Sequence, residues 1–135
     1  QAFGPAMTNR TQDGVNAATA FVNILSSQAL APDVGFGAFA ASQAAARSLA
    51  LSLRAEFRAS GLRMVNVYSG PIETDPWFQP LPPPKGKPKA LAKTLVEGLV
   101  DGLEEITCGD IAQDVYDRWQ SDALLLEREK SGGGT

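Results

Sequence analysis

Histidine does not occur among the 135 residues. That excludes serine–histidine hydrolysis, histidine-ligated zinc and histidine general-base schemes. The single cysteine, Cys108, cannot form an internal disulfide, so a reducing cytoplasmic setting is the default expectation. Cys108 also lacks a basic neighbour that would favour a thiolate, which predicts an inert thiol. No run of 18 apolar residues exists, so no membrane span is expected. A charged stretch followed by an apolar one is missing from the start, so no signal peptide is expected either. Lysine plus arginine number 12 against 15 acidic residues, a formal charge of −3 with no basic cluster, which argues against a nucleic-acid partner. No internal repeat is visible. What is present is an ordinary globular balance, 44% hydrophobic and 20% charged, sufficient for one domain over 1–135 with a real core.

The N-terminal stretch 1–19 is weakly patterned. Ala20 to Ser26, AFVNILS, reads as a buried strand. A loop containing Pro32, Asp33, Gly35 and Gly37 follows. A long helix is predicted from Ala38 to Ser60, with apolar Ala46, Leu49, Ala50, Leu53 and Phe57 at helical spacing and Gly61 as its left-handed cap. Leu62 to Tyr68 reads as a second strand. Strand, helix and strand joined by short loops form a βαβ crossover with two parallel, adjacent strands. The loop SGPIETD, Ser69 to Asp75, leaves the carboxyl end of that second strand, where open α/β sheets hold ligands.

Residues 76–88 hold six prolines together with Trp77, Phe78 and Leu81, an irregular lid or tether. Trp77 and Phe78 suit a pocket cap or an anchor for that segment. Leu91, Leu95, Leu99 and Leu103 predict a helix over Lys89 to Leu103. Asp110 is placed to cap another, from Ile111 to Trp119. The charges at Glu104-Glu105 and Glu127 to Lys130 read as solvated surface, and the glycine run at 131–135 predicts a disordered tail.

Three pieces, in order, resemble the short-chain dehydrogenase/reductase family: VNILSS (22–27), AFAASQAAARSLALSLRAEF (38–57) and GLRMVNVYSGPIETD (61–75). Together they span about half the chain. The resemblance implies a Rossmann-like α/β fold, a parallel sheet with flanking helices, of which this would be the C-terminal half. It implies a nicotinamide cofactor, NAD or NADP, and oligomers built through long helices. It places Ser27 at the substrate-steadying serine, Phe39 where the family has its proton-donating tyrosine, and Gln43 where it has its lysine. Gln1 would hold the place of the family's asparagine. Gly70, Pro71, Ile72 and Thr74 fall on the loop that contacts the nicotinamide.

The departures carry chemistry. Phenylalanine has no ionisable hydrogen, and glutamine has no charge with which to depress a neighbouring pKa. Taken as residues, Phe39 reads as core or interface filling and Gln43 as a solvated side chain. Asp33 and Tyr68 are the remaining candidates for a substitute acid or base. No Gly-rich dinucleotide fingerprint occurs; Gly35 and Gly37 form a lone G-x-G before the wrong helix. Tight binding of a dinucleotide by this chain alone is not expected. Two parallel strands also leave a bare edge, so the sheet is expected to be completed by a segment before Gln1 or by a second chain. The small residues Ala40, Ala44, Ala45 and Ser48 would offer a helix face to such a partner. Three functions stay open: a non-catalytic subunit or scaffold, an enzyme rewired around Ser27, and a ligand-binding module.

Overall fold

A computed structural model describes residues 20–71 and 86–132. Strand β1 (Ala20–Ser26) runs into a short 3-10 turn, Ser27–Ala29. Helix α1 (Gly37–Phe57) crosses to β2 (Arg63–Ser69). Helix α2 (Pro88–Val100) leads to β3 (Glu105–Cys108), and α3 (Asp110–Ser121) and α4 (Ala123–Lys130) close the chain. The strands lie in the order β1-β2-β3, all parallel. This is the expected parallel α/β sheet with flanking helices, and it has a third strand that the sequence did not announce.

The central position of β2 follows from its composition. Met64, Val65, Asn66, Val67, Tyr68 and Ser69 are all buried, as a parallel strand covered on both faces requires. On one face Val65, Val67, Ile106 and Cys108 pack under Leu91, Leu95 and Leu99 of α2. That leucine stripe was the predicted one, although α2 stops at Val100 and Leu103 is left 46% exposed. On the other face Leu25, Tyr68 and Ala112 pack with Ala46 and Tyr116.

Helix α1 ends in a 3-10 turn, Arg58–Ser60, and Gly61 caps it at φ 79°, donating to the Arg58 carbonyl at 3.2 Å. A side chain there would be strained, so glycine is the natural stop. One expected detail is corrected. Gly109, not Asp110, is the cap of α3; Asp110 opens the helix, where its charge complements the N-terminal dipole. The tail is helical as far as Lys130, because Asp122 accepts from the Leu125 N–H at 3.0 Å and caps α4. Ser131 and Gly132 close that helix by donating to the carbonyls of Glu127 and Glu129.

Helix α1 turns the predicted face to the sheet, with Ala46, Ala50, Leu53 and Phe57 buried or half-buried, except at Leu49. Ala40 and Ala50 are buried, whereas Leu49 is 56% exposed. Gln43, Arg47 and Arg54 share the inward side. Their hydrogen bonds add to the packing of Ala46 in fixing the helix to the strands.

Candidate functional site

Ser26 pairs in register with Ser69, so the carboxyl ends of β1 and β2 lie side by side. Ser27 follows one and Gly70 the other, which brings two of the expected site segments to one edge of the sheet. Ser27 is buried in the 3-10 turn, and its carbonyl accepts from the Leu30 N–H at 3.1 Å. Phe39 sits in the first turn of α1, 37% exposed, its carbonyl accepting from the Ser42 hydroxyl at 2.7 Å.

Gln43 corrects the expectation of a solvated side chain. It is half-buried, and its Oε1 accepts from the Ser26 N–H at 2.8 Å. The helix position that the resemblance gives to a lysine here stitches α1 to the end of β1. Lysine could not do this, since an ammonium only donates.

The two alternative acid–base groups are also committed. Asp33 accepts from Gln28 Nε2 at 2.6 Å and pairs with Lys130 at 2.6 Å, while its own N–H donates to Gln28 Oε1 at 2.7 Å. It ties the β1–α1 loop to α4. Tyr68 is fully buried beneath the sheet. Its hydroxyl accepts from Arg47 Nε at 2.8 Å and donates to Glu105 Oε1 at 2.9 Å. Burial is the main cause that pushes its pKa far up, and Glu105 adds to it; the hydrogen bond from Arg47 opposes them. Tyr68 therefore stays neutral.

That tyrosine belongs to a polar network that the sequence reading missed. Arg54 bonds the carbonyls of Met64 and Glu104 at 3.0 Å each and pairs with Glu105 at 3.0 Å. Arg47 reaches Glu105 at 3.8 Å and lies over the Trp119 ring, 4.8 Å from its centroid. The cations on α1 at a spacing of seven, Arg47 and Arg54, were the available signal. Asn66, also buried here, accepts from Asn23 at 3.3 Å but leaves its own Nδ2 without a partner among the described residues.

A cleft of about 330 Å³ opens at the carboxyl ends of β2 and β3. Ser69, Gly70 and Pro71 form one wall, Lys87 and Leu91 another, and Ile111 the floor. Gly70 packs closely there: a Cβ on it would lie 3.2 Å from Ile111 Cβ. The Pro71 carbonyl accepts from the Gly86 N–H at 2.7 Å, which closes the rim. Cys108 contributes a thiol whose pKa burial raises, in keeping with an unreactive group. Gln1, Ile72, Thr74, Trp77 and Phe78 lie outside the described residues. Among those described, no cluster of histidine, cysteine, aspartate or glutamate could hold a metal ion, and no helix is long and apolar enough to cross a membrane.

No family model matches the chain, and neither does any curated protein. Solved structures do. A short-chain dehydrogenase from Burkholderia cenocepacia, crystallised in complex with NADP, superposes with a TM-score of 0.80 at 27% identity, covering 96% of this chain and 51% of that one. A protein from Novosphingobium aromaticivorans assigned to the short-chain dehydrogenases gives 0.66 at 17% identity, over 89% of this chain and 43% of its own, a likeness of fold. The chain thus spans about half the length of the solved structures it matches. With the three sequence pieces falling on β1, α1 and β2 in the expected order, this chain resembles part of a short-chain dehydrogenase domain and has its Rossmann-like parallel sheet.

Proposed function

We propose that the chain is a non-catalytic short-chain dehydrogenase/reductase-type subunit, a scaffold rather than an oxidoreductase. The observation that carries this reading is the chemistry at positions 39 and 43. Phe39 has no proton to give. Gln43 has no charge, and its acceptor is occupied by Ser26. Neither Tyr68 nor Asp33 is free to replace them, which weighs against an enzyme rewired around Ser27.

The residues present do not fit a whole nicotinamide dinucleotide. The sequence has no Gly-rich loop to meet a pyrophosphate. The cleft of about 330 Å³ lies at the small end of the range for ligand pockets.

The subunit role draws on the free side of β1. No described strand pairs with its outer edge, and Ile24 is 54% exposed on the face that α2 covers elsewhere. Together with the half-length match, this favours completion of the sheet by a preceding segment or by another chain of the same family. The outer face of α1, with Ala44, Ala45 and Ser48 exposed, suits a partner helix; Ala40, expected on that face, is buried instead.

The test is turnover by the purified full chain with NADPH and NADH against a panel of carbonyl compounds. No rate above background is expected; turnover on the order of 1 per second would sink the proposal. A second reading, a ligand-binding module, is favoured by the cleft itself, whose wall at Ser69 is 7% exposed. Thermal shift separates the two, since a ligand bound only by the folded chain raises the unfolding midpoint. For a scaffold, NADP and small carbonyl compounds leave it unmoved.

A further inference from the structure

Strand β3 is the other edge of the sheet, with β2 on one side and no described strand on the other. In its ladder the Asn66 N–H donates to the Glu104 carbonyl at 2.9 Å. Alternate residues therefore turn toward β2: Glu104, Ile106 and Cys108. The main-chain groups of Glu105 and Thr107 point the opposite way. They open into a groove of about 460 Å³ between α2 and α3. Thr94, Glu97 and Asp101 line it from α2 and the loop that follows, and Gln113, Asp117 and Gln120 line it from α3.

The charge of this groove has one sign. No lysine or arginine is among its lining residues. Glu105 is neutralised beneath the sheet by Arg54 and Arg47. Asp101 and Asp117 remain, with Glu97, whose cation Lys93 stands 4.0 Å away on the outer surface. A second copy docked edge to edge about a two-fold axis would set these carboxylates against each other. The β1 edge differs, since its flanks are Ala20, Val22 and Ile24.

We propose that the β3 edge takes up an extended, lysine- or arginine-rich peptide segment as an added strand. Glu105 and Thr107 supply the main-chain partners, as in strand addition to an open sheet edge. Neighbouring side chains of a strand point to opposite faces. Two consecutive basic residues would thus reach Glu97 and Asp101 on the α2 side and Asp117 on the α3 side.

The experiment is fluorescence anisotropy of the full chain with a labelled hexapeptide carrying an adjacent Lys-Arg pair among valines and threonines. Saturable binding is expected. Two further peptides carry N-methyl groups on the odd or on the even amides, which keeps the charge while blocking one side of the backbone. One of these should lose binding about tenfold or more, and the other should keep it. The double substitution Asp101→Asn with Asp117→Asn should weaken the parent peptide by about tenfold, with the fold checked by circular dichroism. Three results overturn the proposal: no saturable binding, equal binding by both N-methylated peptides, or self-association of the chain that Thr107→Pro abolishes. The peptide comparison uses the unaltered chain, so it does not depend on a variant's folding.

Discussion

At position 43 the side chain must accept a hydrogen bond. Gln43 Oε1 serves the Ser26 N–H, so a lysine at this position would remove a partner. Gln43→Lys should destabilise the chain by about 1 kcal/mol, the usual worth of such a bond, and Gln43→Glu should cost less because it keeps an acceptor. Urea unfolding of both variants checks the order; a lysine variant as stable as the parent would show that Ser26 has another partner. Gly98 poses a packing question. A Cβ there would lie 2.5 Å from Ile106 Cδ1 and 2.8 Å from Cγ1, and Ile106 is 3% exposed and cannot retreat. Gly98→Ala gains about 1 kcal/mol of helix propensity but incurs overpacking of about 1–3 kcal/mol. A net loss is expected. Adding Ile106→Val, which deletes Cδ1, should recover part of it; strict additivity of the two changes would contradict the contact.

Helix α1 shows what periodicity misses. Its existence and its glycine stop were legible in the spacing and in Gly61. Its contact face was legible at Ala46, Ala50, Leu53 and Phe57 but not at Leu49, which faces out, nor in the inward Gln43, Arg47 and Arg54. Polar side chains share the inward side with the apolar positions that periodicity marks. Strand β3 escaped notice for a related reason: it is four residues long, begins with Glu105 and offers Ile106 as its one large apolar residue. Helix α4 was signalled by Asp122, a cap three residues before Leu125, yet LLLEREK has no clean stripe. The site was legible only in part: Ser27 and Gly70 follow paired strand ends, but the cleft takes in Gly70 without Ser27, and the Arg47–Tyr68–Glu105 network needed the fold to be seen. That network joins α1, β2 and β3 and makes its own prediction. Tyr68 has a folded-state pKa above its unfolded value near 10. The folded state therefore holds the proton more tightly, and stability is full below about pH 10 and lost as pH rises beyond it. Tyr116, raised by burial and by Glu105, acts in the same direction. Unfolding midpoints followed from pH 8 to pH 11 should fall above about pH 10, and Tyr68→Phe should fall less steeply, from a lower starting stability. An equal slope in both proteins would assign the alkaline loss elsewhere.

For the molecule as a whole, the two edges of the sheet pull in different directions. At β3 the flanks are acidic and the strand is short, both devices that keep an edge from pairing with copies of itself. At β1 neither device is present. The strand has seven residues and no charged side chain, and Ile24 stands 54% exposed beside the half-buried Ala20 and Val22. An isolated chain with such an edge should self-associate through it until another strand takes its place. Ile24→Lys tests this cleanly, because the side chain already meets solvent and its replacement creates no cavity. The substitution should change stability by no more than about 0.5 kcal/mol, as surface changes do, while shifting the concentration-dependent mass seen by sedimentation toward the monomer. Were Ile24→Lys to unfold the chain as a core substitution would, β1 would have to be covered in the isolated molecule. If instead the mass distribution stayed as it was, association would have to run through some other surface, and the outer face of α1 would be the first to examine.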